Sequence, residues 1–174
     1  WTNPMHKANP YVNRDPRFYA TVMYDGADWK PRPSDVNDPA NQIQTGSYDI
    51  VNSSGATVNR YGYDTRQSII EDWNGSRTGY YMRKFIDPNP EMYDNTDRQD
   101  IPWPFMRVTE IVFNLIEAHL ELSNESEALT LLNKIRFRAG MPALPSLTGQ
   151  ALINAYRQER RIELVYEEHR YHDT

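Results

Sequence analysis

Residues 107–122 read Arg107-Val108-Thr109-Glu110-Ile111-Val112-Phe113-Asn114-Leu115-Ile116-Glu117-Ala118-His119-Leu120-Glu121-Leu122. A short polar break, Ser123-Asn124-Glu125-Ser126, follows, and a second run extends to Gly140. Val108, Ile111, Val112, Leu115, Ile116, His119 and Leu122 recur at i, i+3, i+4 and i+7, the spacing of an amphipathic helix. Arg107, Glu110, Asn114, Glu117 and Glu121 take the other face. Pro104 suits a first helical position, where a missing N–H costs nothing. Ser126 is placed to cap a second helix, whose apolar face is Ala128, Leu131, Leu132, Ile135 and Ala139. Gly140 and Pro142 form its stop signal. A break this short predicts an antiparallel helical hairpin, whose apolar stripes need further partners.

Thr148 is placed to cap a third helix reaching about Glu168. Arg157 with Arg161, Glu159 with Glu163, and Glu163 with Glu167 are like-charge pairs at i, i+4, which destabilise an isolated helix. Only Arg160 with Glu163 and Glu167 with Arg170 offer opposite signs at i, i+3. These charges therefore call for partners on other elements; a solvated charged face is the alternative.

The chemistry changes near residue 105. Residues 1–105 hold 10 of the 12 prolines, 16 of the 21 aromatics, 12 Asp and 2 Glu. Residues 106–174 hold 1 Asp and 9 Glu. Asp and Pro favour turns and Glu favours helix interiors, so loops precede helices. With Gly counted in and the twelve tyrosines out, apolar residues make up roughly 37% of the chain, below the usual 45–50%. The mean hydropathy is −0.81. So little apolar material predicts a loop-rich chain, a core completed from elsewhere, or both.

Several classes fall away. No apolar run approaches the roughly 18 residues of a membrane span. A net charge of −5 gives no basic footprint for nucleic acid. The absence of cysteine removes disulfides, zinc–thiolate sites and thiol catalysis. There is no phosphate-binding glycine loop and no nucleophile elbow.

Four blocks carry a family resemblance. Asn13-Arg14-Asp15-Pro16-Arg17-Phe18, followed by Tyr24-Asp25-Gly26, is the first, and Thr78-Gly79-Tyr80-Tyr81-Met82-Arg83-Lys84-Phe85 the second. Asn133-Lys134-Ile135-Arg136-Phe137-Arg138-Ala139-Gly140 is the third. The last joins Glu159-Arg160-Arg161, Glu163-Leu164, Glu167, Arg170 and Asp173. In order and spacing they resemble the C-terminal portion of the SusD/RagB family. Glu117-Ala118 stands where that family has alanine then glutamate.

The resemblance implies an all-α fold of tetratricopeptide-like helical hairpins with long irregular loops and little strand. It implies one SusD-like domain in which 1–105 is the loop-rich segment and 106–174 the helical C-terminal segment. Family members are roughly three times as long and carry an N-terminal lipidation cysteine, so the chain is expected to be a piece of a longer protein that folds poorly alone. The implied function is non-enzymatic binding of an extracellular oligosaccharide or other nutrient at the outer-membrane surface. Delivery would be to a SusC-like TonB-dependent transporter, with no cofactor and no nucleic acid. Arg138, Glu159, Arg160, Glu163 and Arg170 are then structural.

Sugar rings present apolar C–H faces to aromatics and hydroxyls to polar side chains, and an aromatic with a polar handle suits a half-wet surface. Loop residues 27–78 supply Trp29, Tyr48, Tyr61, Tyr63 and Trp73, interleaved with Asn52, Asn59, Asp64, Asp72 and Asn74. Trp29, Tyr48, Tyr61 and Trp73 are the ligand-binding candidates; anchoring of loops to a scaffold is the other reading of the same residues. Tyr80, Tyr81 and Phe85 are expected in the core. Asp87 to Asp97 is rich in oxygen ligands but lacks the spacing of a calcium loop, so no metal site is expected. His169 and His172 are three apart, and His119 lies on an apolar stripe. Glu71-Asp72 could serve a glycan-active enzyme only with glycosidase geometry. The competing class is a helical-hairpin protein-interaction scaffold without sugar binding.

Overall fold

The computed structural model describes residues 8–33, 36, 41–70, 73, 75–93 and 98–171. The chain divides into two compact units: residues 1–21 with 103–174, and residues 22–102 between them.

The first unit is helical. Helix α1, Pro16–Thr21, begins with a proline after Asp15, whose carboxylate accepts the Arg17 N–H at 2.9 Å. The capping residue and the proline at the first helical position fix this start. Helix α2 is Val108–Glu121, α3 is Glu125–Arg138 and α4 is Gly149–Glu163. A 3-10 turn, His169–Tyr171, follows. The all-α reading with tetratricopeptide-like hairpins therefore holds.

Several boundaries differ from the sequence reading. Pro104 precedes α2 rather than opening it, because Arg107 is extended (φ −122°, ψ 150°) and its side chain turns away to acids beyond α4 and within it. The cap of α3 is Asn124, not Ser126. Thr148 occupies the α4 cap position without a side-chain cap bond. Helix α4 ends at Glu163, and Tyr166 (φ 63°) and Glu168 (φ 64°) turn the chain in left-handed conformations. Gly140 (φ 74°) closes α3 as expected: Met141 N–H reaches Arg136 C=O at 2.9 Å and Gly140 N–H reaches Phe137 C=O at 3.0 Å.

The core joins Phe113, Ile116, Ala128, Leu132, Ile135, Leu152, Tyr156 and Leu164. Phe113 was absent from the periodic stripe yet is wholly buried, its ring 6.0 Å from that of Tyr156. Conversely Val108, Ile111, Leu115 and Leu122 are exposed. Helix α2 is thus apolar on two faces, and the stripe chosen by periodicity straddles both.

The charges of α4 do find partners on other elements. Glu159 (3% exposed) meets Arg17 at 2.7 Å and Arg136 at 2.5 Å. Glu163 (6% exposed) meets Arg17 at 3.1 Å and Arg107 at 3.4 Å, and also pairs with Arg138. Glu167 takes Arg107 at 2.7 Å. Arg160 donates to Asn114 Oδ1 at 3.3 Å. Buried carboxylates persist only when paired this densely. Burial pushes Asp15 up, but the Arg17 hydrogen bonds win and hold it below the ordinary carboxylate value. Arg107 is raised, first by its hydrogen bond to Glu167, against the pull of burial.

The second unit, Val22–Pro102, is held by two small antiparallel ladders. β1 (Val22–Met23) pairs with β4 (Tyr81–Met82), and β2 (Ser47–Val51) with β3 (Thr57–Tyr61) in the register Asp49 opposite Asn59. The β2–β3 tip is built by Asn52, whose side-chain oxygen accepts from the N–H groups of Ser54 and Ala56, both at 3.0 Å. Gly55 (φ 80°) completes that turn. The small core is Met23, Ala27 and Ile43, with Tyr24, Trp29, Tyr81 and Ile86 packed on it. At Gly62 a Cβ would lie 2.2 Å from the Gln44 carbonyl, so only glycine fits.

Candidate functional site

The second unit carries a groove of about 600 Å³, within the size range of ligand pockets. Its walls come from the segment after β1, the Gln42–Ile43 stretch, β4 and the loop around Met92. Trp29 lines it, held by packing on Met23 and Ile43 and flanked by two cations, Arg83 at 5.3 Å and Lys30 at 5.5 Å from its ring centre. Trp29 N–H also bonds to Asn41 C=O at 2.7 Å, and Asp28 bridges to Gln42, so its strand-like neighbourhood is fixed by the backbone.

The polar groups along the groove are tied to the protein. Arg32 grips Asp64 with two 2.8 Å bonds and reaches the Gln42 carbonyl at 2.5 Å. Asp64 also accepts Gln44 N–H at 2.8 Å. Lys30 donates to the Met92 carbonyl at 2.8 Å. The Tyr81 hydroxyl accepts Ser76 N–H at 2.8 Å and donates to Asp64 C=O at 2.6 Å.

Of the four sequence-selected candidates, only Trp29 lines this groove. The Tyr48 hydroxyl donates to Asp25, which also accepts Thr45 N–H at 2.7 Å and Gly46 N–H at 2.9 Å. Burial, then the Asp25 hydrogen bond, push the Tyr48 phenol above its ordinary value. Tyr61 ends β3 and is 53% exposed, and Trp73 is 74% exposed; both present aromatic surface outside the groove. Tyr63 stacks beneath Arg60, 4.0 Å from ring centre to guanidinium.

The accompanying polar residues have structural partners: Asn52 at the hairpin tip, Asn59 donating to Asp49 at 3.0 Å, and Asp64 as above. Glu71, Asp72 and Asn74 lie outside the described residues, as do His172 and 94–97. Asp87 and Asn89 close turns by accepting Asn89 and Glu91 N–H. Tyr80 is exposed rather than core; Tyr81 is the ring of that block that packs inward. Met92 and Tyr93, groove residues missed by the sequence reading, sit in a segment noted only for its acids.

The SusD family model matches residues 2–174. The chain belongs to the SusD family. Its structure is similar to the crystal structure of a SusD-like protein from Bacteroides fragilis NCTC 9343, with a TM-score of 0.65 and 27% sequence identity. That similarity covers 97% of this chain and 29% of the Bacteroides protein, so the SusD-family segment spans under a third of that relative's length. No curated protein matches the chain. The Asp15–Arg17 block and the Arg136–Arg138 block converge on Glu159 and Glu163 of the last block. The Tyr81 block builds the β1–β4 ladder and one groove wall. No helix among the described residues is long and apolar enough to cross a membrane.

Proposed function

We propose that the protein captures an oligosaccharide non-covalently at the outer-membrane surface and passes it to a SusC-like TonB-dependent transporter, breaking no bond. The observation that carries this reading is the groove holding Trp29 in a chain matched along nearly its whole length by the SusD family. Trp29 gives a ring for a sugar face, and exposed Tyr61 and Trp73 offer further stacking surface in the same unit. Tyr48, in β2, has its hydroxyl engaged with Asp25.

Glycan-array screening of the full-length protein, followed by calorimetry, tests the reading. Binding that weakens in Trp73→Ala, or in Trp29→Ala with unchanged circular dichroism, supports it. Absence of any glycan ligand, or unchanged affinity in both variants, refutes it. A second reading, a helical scaffold for a protein partner without sugar binding, is favoured by the exposed apolar face of α2; a full-length protein that binds no glycan but loses a co-purifying partner in Val108→Asp and Ile111→Asp would favour it.

A further inference from the structure

The composition of the groove points past a bare sugar. Its buried wall is Met23 and Ile43, with Trp29, Tyr81 and Ile86 packed against them. Met82 and Met92 also line it. Its charged groups lie apart from this wall and bond to the protein: Arg32 to Asp64 and the Gln42 carbonyl, and Lys30 to the Met92 carbonyl. The Tyr81 hydroxyl has both a donor and an acceptor partner, and Gln42 donates to Asp28 at 3.1 Å. A sugar ring pushed against this wall would bury hydroxyls with no partners, which is costly. Tyr93 and Gln99 at the groove are exposed, and Gln99, whose Oε1 accepts the Asp87 N–H at 2.8 Å, keeps its amide N–H groups for a hydroxyl.

We propose that the groove takes an aryl group carried on a sugar, with the ring against Met23, Trp29 and Tyr81 and the sugar held outside by Tyr93 and Gln99. Three methionines and two large aromatics suit a flat, polarisable ring: thioethers pack on aromatic edges, and unbranched side chains adapt to its outline. Trp29, Tyr81, Met82 and Met92, which are not buried, then supply affinity through area removed from water, while buried Met23 and Ile43 back them. The inference rests on the glycan-binding reading for its sugar part alone.

The test uses full-length protein carrying 13C-methyl methionine. It is titrated with 4-nitrophenyl β-D-glucopyranoside, with methyl β-D-glucopyranoside, and with N-acetyl-L-phenylalanine amide. Met→Leu variants assign the methyl signals. The expected result is ring-current shifts at Met23, Met82 and Met92, with the aryl glucoside binding at least about tenfold tighter than the methyl glucoside. Trp29→Ala risks unfolding the unit because Trp29 packs on its core. Exposed Tyr93→Ala avoids that, and it should weaken the aryl glucoside about three- to tenfold with unchanged circular dichroism. Unmoved methionine methyls, or equal affinity for the two glucosides, overturn the proposal. Tighter binding of the phenylalanine amide overturns it in favour of a peptide ligand. If the glycan array is blank but the aryl glucoside shifts the three methyls, the groove assignment stands and the oligosaccharide reading falls.

Discussion

Replacing Arg17 by methionine keeps much of the side-chain volume and removes the guanidinium that ties α1 to α4. That group bonds Glu159 at 2.7 Å, Glu163 at 3.1 Å and Asp15 at 2.6 Å. Asp15 is local and its side chain is 19% exposed, so water can replace its partner at a cost of about 1 kcal/mol or less. Glu159 and Glu163 are different, because they stay buried. Each keeps another arginine, Arg136 for the first and Arg107 with Arg138 for the second, so neither is stranded. Glu163 loses one charge-assisted hydrogen bond, about 1.5–3 kcal/mol, and Glu159 loses a close ion pair. The ceiling for breaking a buried pair is about 3–5 kcal/mol. A loss of about 3–4 kcal/mol is expected. Hydrogen exchange measured on peptides covering residues 149–163 of the full-length protein should therefore speed up by two to three decades. Asp15→Asn, the control, should change it by less than one. A double-mutant cycle of Arg17→Met with Glu159→Gln should show coupling of at least about 1.5 kcal/mol. Acceleration below fivefold, or coupling near zero, would mean that these charges are a solvated face and that the reasoning is wrong.

Two further outcomes follow from the second unit. The Tyr48 phenol is raised above its ordinary 10.0, so its hydrogen bond to Asp25 contributes fully below pH 10 and is lost as pH climbs through the raised folded value. Absorbance titration at 295 nm should show one late-ionising tyrosine that Tyr48→Phe removes, and identical curves would count against the Asp25 bond. Gly62→Ala places a Cβ against the Gln44 carbonyl and should cost about 2–3 kcal/mol in thermal unfolding, whereas Gly55→Ala, with open space but φ 80°, should cost about 1–2 kcal/mol; equal costs would refute the close approach.

The helical half was legible because its signals are local. Polar Ser123–Ser126, the Gly140 stop and the apolar spacing of Ala128, Leu132 and Ile135 place α2 and α3 to within a few residues. The like-charge pairs of α4 likewise announced distant partners, since such a helix is unfavourable without them. What was not legible depends on contacts far along the chain. Phe113 is core only because Tyr156 lies across from it, and Val108 is exposed although it fits the periodic stripe equally well. The β2–β3 hairpin has no Asn-Gly signal, because Asn52 builds a longer turn from its own side chain. Trp29 was picked out by residue type, but composition could not tell a groove wall from exposed Trp73 or from Tyr48 bound to Asp25. Met92 carried no signal at all until the fold placed it beside Trp29.

The placement of residues 22–102 between two parts of the helical unit has a consequence for synthesis. Arg17 leaves the ribosome well ahead of its carboxylates: Glu163 lies 146 residues later. At about 5–20 residues per second that gap is roughly 7–30 s. During it, α1 lacks the α4 carboxylates it docks against, while the residues lining the Trp29 groove emerge. All of residues 22–102 are therefore made before Glu159 and Glu163 can reach back to Arg17.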